Sequence, residues 1–146
     1  MSREPGMTFI VKTVTRLTVG MILLYGIYVV LHGHLTPGGG FAGGVIVALS
    51  FVHLMLAFGR DVALKKFSEP VANLLESFGA IFFIAIAVVG FAGGYFFLNV
   101  YGKGEPFTLF SAFMILFSNI AICCKVAAGL FAVSVVIVFA KVVGKP

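Results

Sequence analysis

An all-α integral membrane protein of four transmembrane helices is the fold class this sequence predicts, and three observations predict it. Hydrophobic residues make up 61% of the 146 residues and charged residues 10%, against about 25% charged in soluble domains. Mean hydropathy is +1.17. Apolar residues gather into four stretches, each near the roughly 20 residues that carry a helix across about 30 Å of hydrocarbon. A soluble single domain is excluded, because so few charges cannot cover a globular surface. The net charge of +5, from ten basic and five acidic residues, therefore marks topology rather than a nucleic-acid partner.

The first span, 8–31, is entered by Lys12 and Arg16, four residues apart on one helix face and able to snorkel to the interface. No small-x-small cleavage site follows, so the segment reads as a retained anchor and not as a signal peptide. Residues 32–40 break the pattern, with Pro37 ahead of three glycines. The second span, 41–58, is followed by a mixed-charge break at 59–77 that contains Pro70. The third span, 78–98, gives way to Gly102, Gly104 and Pro106. The last stretch, 107–143, has at its middle Ile122-Cys123-Cys124-Lys125-Val126-Ala127, with no Pro, glycine pair or polar cluster that could turn a chain inside lipid. It reads as one long, tilted helix. The chain, 1–146, is thus one four-helix transmembrane domain with a glycine-rich outer loop between its first two helices.

Basic residues set the orientation. With four spans, Arg3, Lys12, Arg16, Arg60, Lys65, Lys66, Lys141 and Lys145 fall on one side, Lys103 on the other and Lys125 within the membrane. Both termini are then expected in the cytoplasm. Tyr28, Tyr95 and Tyr101 fall near the outer boundary as an aromatic belt, and Gly90 with Gly94 gives the third helix a close-packing spacing. No H-E-x-x-H, G-x-S-x-G or C-x-x-C motif is present, and Cys123 beside Cys124 at membrane depth says nothing about redox compartment.

The densest motif runs His32-Gly33-His34-Leu35-Thr36-Pro37-Gly38-Gly39-Gly40-Phe41-Ala42-Gly43-Gly44. Pro37, Gly38, Gly39 and Gly40 suit a tight turn, while Gly39 with Gly43, and Gly40 with Gly44 and Ala48, have the small-x-x-x-small spacing of close helix packing. Loop and helix packing through these residues and Phe41 is preferred to a phosphate cradle, since no strand precedes the glycines and no Lys-Ser/Thr follows. His32 and His34 make either a weak metal or proton site or hydrogen bonds that organise the loop, and no nearby Cys, Asp or Glu completes a ligand set. His53, inside the second span, either relays protons or hydrogen-bonds across helices.

Lys125 lies near the midpoint of the last span, where a charge costs roughly 2.5 to 3.5 kcal/mol to insert. At about 100° per residue, Ser111, Ser118, Ala121, Gly129 and Ala132 share its face, while Leu116, Phe117, Val126 and Phe131 point elsewhere. The small and polar stripe is expected to face protein or water, and the bulky stripe lipid. Glu4, Asp61, Glu69, Glu76 and Glu105 all fall outside the four spans, so no carboxylate of this chain is expected to meet Lys125. It is then either uncharged or supplied with a carboxylate, carbonyls or a water chain by another subunit. Lys125, His53 and Ser118 are the candidates for an ion or proton path or a subunit interface, a plain interface lock being the alternative.

The run from His32 to Gly44 resembles the G-H-x-x-P-G-G-G-F-x-x-G signature of the B subunit of Mrp-type (Mnh-type) multisubunit sodium/proton antiporters, through Gly33, His34, Pro37, Gly38, Gly39, Gly40, Phe41 and Gly44. The likeness extends to the four-span layout and nearly the whole chain. Asn119-Ile120-Ala121 and Lys125-Val126-Ala127-Ala128-Gly129-Leu130 are similar to the B-type subunits of archaeal membrane-bound hydrogenase or sulfane reductase complexes. The resemblance implies a non-catalytic subunit of a cation/proton antiporter module in a plasma-membrane assembly related to respiratory complex I, whose large subunits carry the proton-pumping lysine and glutamate sites. It implies other membrane subunits and the lipid bilayer as partners, no nucleic acid, no cofactor or metal bound by this chain, and sodium ions and protons as the species the complex moves. It gives the glycine signature no catalytic role. The expected lack of deep carboxylates agrees with a subordinate role, since a lone cation exchanger needs an acid that alternates between cation and proton. Two other classes stay open: a self-sufficient small homo-oligomeric transporter and a purely structural scaffold subunit. Against the first, small four-span exporters usually carry an acid in the first span, and 8–31 holds only Lys12 and Arg16.

Overall fold

A computed structural model describes residues 7–99, 105, 107–108 and 111–143. Arg3, Glu4, Tyr101, Gly102, Lys103, Gly104, Pro106 and Lys145, assigned above from sequence, lie outside the described residues. The described elements are all helical: α1 (Phe9–Leu31), α2 (Gly40–Phe58), α3 (Arg60–Lys66), α4 (Glu69–Val89) continued by a 3-10 turn (Gly90–Gly93), and α5 (Phe113–Val143). Among the described residues, four helices are long and apolar enough to cross a membrane, namely Phe9–Leu31, Gly40–Phe58, Glu69–Gly93 and Phe113–Val138. The four-span, all-α architecture expected from composition is the one observed.

Glycines end and start the helices where a side chain would not fit the backbone. Gly39 precedes α2 with φ 111°, and Gly59 closes it with φ 95° while its N–H returns to the Met55 carbonyl oxygen. α3 carries Asp61 in its first turn and Lys65 and Lys66 in its last, charges that complement the helix dipole. α4 starts after Ser68, with Glu69 in its first turn and Pro70 where a missing N–H costs nothing.

The helix boundaries correct the sequence assignment in three places. The third span begins at Glu69, not at 78, because Ser68-Glu69-Pro70 is helix-start chemistry that polarity alone reads as loop. The same break also folds a short helix of its own, α3. The last helix begins at Phe113 rather than 107, where Phe107 holds φ 63° and the N–H groups of Ile115 and Leu116 converge on the Ala112 carbonyl oxygen. Gly94 does not continue the third helix with Gly90: it sits at φ 103° beyond the 3-10 turn, with nothing near the position a Cβ would take.

The spans pack in the order α1, α2, α5, α4, with only a minor contact of α1 on α5. The start of α1 lies beside the end of α2: the Met7 N–H donates to the Ala57 carbonyl oxygen at 2.9 Å and the Arg16 guanidinium sits 5.5 Å from the Phe58 ring centre. A buried apolar cluster, Met55, Ala63, Ala72, Ala128, Phe131 and Val135, lies at that same end, with the rings of Phe51 and Phe67 at 6.0 and 4.9 Å from Phe131. Because α5 has neighbours on two sides, its bulky stripe does not face lipid as expected. Phe131 and Leu116 are buried, and Phe117 and Val126 partly so.

Candidate functional site

Three groups of residues carry the polar chemistry, one on each seam between neighbouring spans. On the α2–α5 seam, Gly40 and Gly44 bring the two backbones together. A Cβ at Gly40 would collide with the Asn119 carbonyl oxygen and lie 2.8 Å from Asn119 Cα, and one at Gly44 would lie 3.1 Å from the Cys123 carbonyl oxygen. The first N–H of α2, at Gly40, is buried and has no partner within its own helix; it donates to Asn119 Oδ1 at 3.2 Å, so a side chain of α5 caps the start of α2. Gly43, one residue round the helix, turns instead to α1, where a Cβ would meet Val30 and the Gly26 carbonyl oxygen. The glycine motif is therefore a junction of three helices: Gly40 to Gly44 form the start of α2, and residues 32–39 form the turn ahead of it.

The two loop histidines are tied to backbone. The ring N–H at His32 Nδ1 donates to the Tyr28 carbonyl oxygen at 3.1 Å and stacks its ring 4.2 Å from that of Tyr28. His34 Nε2–H donates to the Thr108 carbonyl oxygen at 3.3 Å, joining this loop to the segment ahead of α5. Pro37 and Phe41 are exposed. Among the described residues no three His, Cys, Asp or Glu side chains converge on a point that could hold a metal ion.

On the α1–α2 seam, His53 Nε2 stands 3.3 Å from the hydroxyls of both Thr15 and Thr18. Thr18 gives its own proton to the Val14 carbonyl oxygen at 3.1 Å, so its oxygen is left to accept from the imidazole. Thr15 is fully buried. The arrangement is a cross-helix hydrogen bond inside apolar surroundings, where such a bond is worth about 0.6 kcal/mol on average and about 1.7 at most. Thr15 and Thr18 were missed from sequence, although two threonines at i and i+3 in an apolar run put two hydroxyls on one face.

On the α4–α5 seam, Lys125 meets an acid of its own chain. Its Nζ lies 3.7 Å from Glu76 Oε1. This overturns the expectation that every carboxylate falls outside the spans, and the reason is the earlier start of α4. Glu76 is the eighth residue of α4, roughly 10 Å along the helix from its start. Gly79, one turn on, lets α4 press against the backbone of α5, since a Cβ there would lie 2.7 Å from the Ala121 carbonyl oxygen and 3.0 Å from Lys125 N. Lys125 is 12 residues from the start and 13 from the end of the span Phe113–Val138, hence roughly 18 to 20 Å from either end. The pair is an ion contact beyond hydrogen-bonding distance, and its side chains remain 53% and 42% exposed. Beside it opens a cavity of about 330 Å³ lined by Gly79, Ala80, Phe83, Ala121, Ile122 and Lys125, among others.

Ser118, two turns from Lys125 on α5, spends its proton on the Met114 carbonyl oxygen at 2.8 Å and lines a separate cleft with Phe97, Asn99 and Ile115. The structure thus brings Lys125 to Glu76 and His53 to Thr15 and Thr18, and puts His53 and Lys125 on different seams. Glu76 and Asn119 complete sites that sequence alone did not assemble, since each acts on a residue of another helix.

Residues 10–132 match the family model described as a domain related to the MnhB subunit of Na+/H+ antiporters. An uncharacterized protein of Methanocaldococcus jannaschii is 38% identical over 118 residues, covering 75% of this chain and 44% of the relative. A protein of Staphylococcus aureus (strain Newman), named as a candidate antiporter subunit, mnhB2, is 37% identical over 93 residues, covering 63% of this chain and 64% of the relative. The chain spans less than two thirds of the length of these curated relatives.

Proposed function

The chain belongs to the family of domains related to the MnhB subunit of Na+/H+ antiporters, and from that premise we propose that it is a non-catalytic, multi-pass plasma-membrane subunit of a multisubunit sodium(cation)/proton antiporter module. The family match over residues 10–132 carries this reading. Two structural features support it. Among the described residues a row of four spans gives α4 a neighbouring span on one side only, and a Glu–Lys pair stands half exposed at a depth where lipid solvates neither charge. The depth of Glu76 removes the expected lack of a deep acid as a reason for a subordinate role, so that role rests on family membership.

In this reading the end carrying Lys12, Arg16, Arg60, Lys65 and Lys66 faces the cytoplasm, by the positive-inside rule. Lys125 lies at a subunit interface or beside an ion route, with Ser118 on the same helix face. His53 holds α1 to α2, and His32, His34, Pro37, Phe41 and the glycines from Gly38 to Gly44 organise the three-helix junction. Sodium ions and protons are the species moved by the complex, and this chain binds no cofactor. Its finer form places the module in a complex I-related assembly with a redox arm of hydrogenase or sulfane reductase type. That form is supported by the likeness of Asn119–Ala121 and Lys125–Leu130 alone.

Purification of the tagged full-length chain from its own membranes in mild detergent tests both levels. The expected result is co-purification of other antiporter-type membrane subunits, with sodium-driven proton movement in inverted vesicles lost on deletion of this chain and restored by its return. A transport-active homo-oligomer of this chain alone would overturn the subunit reading. Redox subunits in the same complex are expected for the finer form, and their absence would overturn it.

A further inference from the structure

The Glu76–Lys125 pair presents more polar valence than the described residues satisfy. At 3.7 Å the contact leaves the ammonium donors of Lys125 and both carboxylate oxygens of Glu76 without a short hydrogen bond, and both side chains stay about half exposed. Lipid tails cannot serve them, and headgroups lie roughly a dozen residues of helix away from Lys125 in either direction. Beyond Ser77 the exposed residues of α4, Phe78, Ile81, Ile84, Ala85, Val88 and Val89, are all apolar, as lipid contact requires. One face of the α4–α5 seam therefore differs from the rest of the row: it combines a charged pair with a cavity of about 330 Å³ floored by Gly79, Ala80 and Ala121.

We propose that this face, around Glu76, Lys125 and Ala80, is the docking surface for a transmembrane helix of a different subunit. That helix brings a hydrogen-bonding side chain to the level of the ion pair and a bulky apolar side chain to the adjoining cavity. The proposal rests on the subunit reading above and names the surface and the partner chemistry. A second copy of this chain fits less well. A two-fold axis would set Glu76 against Lys125 of the partner copy and satisfy the charges, but would also set cavity against cavity and leave both unfilled. A heterologous contact with another copy would lay the outward side of α1, where Leu17, Met21 and Leu24 are exposed and apolar, against a charged pair that it could not hydrogen-bond.

The test uses the assembled complex with a photo-crosslinking amino acid in place of Ala80. The expected adduct is to one other membrane subunit, mapped by mass spectrometry to a helix that carries a polar or charged residue near mid-span. Ala80→Trp, which fills the cavity and leaves the charges alone, is expected to lower co-purification of that subunit at least tenfold while this chain inserts at its normal level. An adduct to lipid alone, to a second copy of this chain, or to a helix with no polar residue near mid-span overturns the proposal. Other subunits that co-purify while position 80 captures only lipid would sink this surface and leave the subunit reading standing; no co-purifying subunit at all would sink both.

Discussion

Gly40→Ala adds one methyl group at the point where α2 crosses α5. Its carbon would lie 2.8 Å from Asn119 Cα and 2.9 Å from Ile122 Cβ, besides its collision with the Asn119 carbonyl oxygen. Carbon atoms rest at about 3.5 to 4.0 Å, and none of these neighbours can swing away by changing rotamer. The crossing must open by roughly 0.7 to 1 Å. The bond from the Gly40 N–H to Asn119 Oδ1, already 3.2 Å long, is then lost. Overpacking costs about 1 to 3 kcal/mol and the interhelical hydrogen bond about 0.6 to 1.7 kcal/mol, while the better helix propensity of alanine returns at most about 1 kcal/mol. With the full alanine gain subtracted, the net loss is about 0.6 to 3.7 kcal/mol, or about 3- to 500-fold in the ratio of folded to unfolded protein. Gly20→Ala is the internal control, because nothing lies within 4 Å of the position its Cβ would take. It should be neutral or stabilise by up to about 1 kcal/mol. Reversible unfolding of the two variants in lipid–detergent micelles measures the difference. A Gly40→Ala protein within about 0.5 kcal/mol of Gly20→Ala would refute the close-crossing account.

Three more expectations come from the other seams. Thr15→Val with Thr18→Val should loosen α1 from α2 by about 0.6 to 1.7 kcal/mol, read as faster amide exchange along α1, and exchange unchanged from wild type would argue that His53 does not hold that seam. Lys125→Met should destabilise the chain by between about 1 kcal/mol, the ceiling for exposed pairs, and about 3 kcal/mol, the floor for fully buried ones; adding Glu76→Gln should recover most of that loss, and a double variant no better than the single would mean that the two charges do not compensate each other. Gly39→Ala forces a side chain into φ 111° and should cost about 1 to 3 kcal/mol of backbone strain, visible as a lower unfolding midpoint and contradicted by an unchanged one.

The lipid-spanning runs were legible because they depend on local quantities, the length and continuity of apolar sequence. Two of the outcomes that differ from the sequence reading share one cause. By polarity alone Ser68-Glu69-Pro70 reads as loop, which puts Glu76 outside the membrane and leaves Lys125 without an acid. In the structure those residues open α4, and the acid follows the helix into the span. Periodicity alone puts the bulky stripe of α5 toward lipid, yet it says which residues share a face and not how many faces are covered. With α2 and α4 on two sides, Phe131 and Leu116 are inside.

By itself the sequence determined that four helices cross the membrane, where basic residues cluster, and that one lysine is stranded in an apolar run. Those properties follow from hydrophobic transfer and helix rise, which act along a single segment. Only the tertiary structure decided what meets Lys125, what caps α2 and what holds His53. Each of those contacts joins residues far apart in the chain, and is set by how closely glycines such as Gly40, Gly44 and Gly79 allow two backbones to approach.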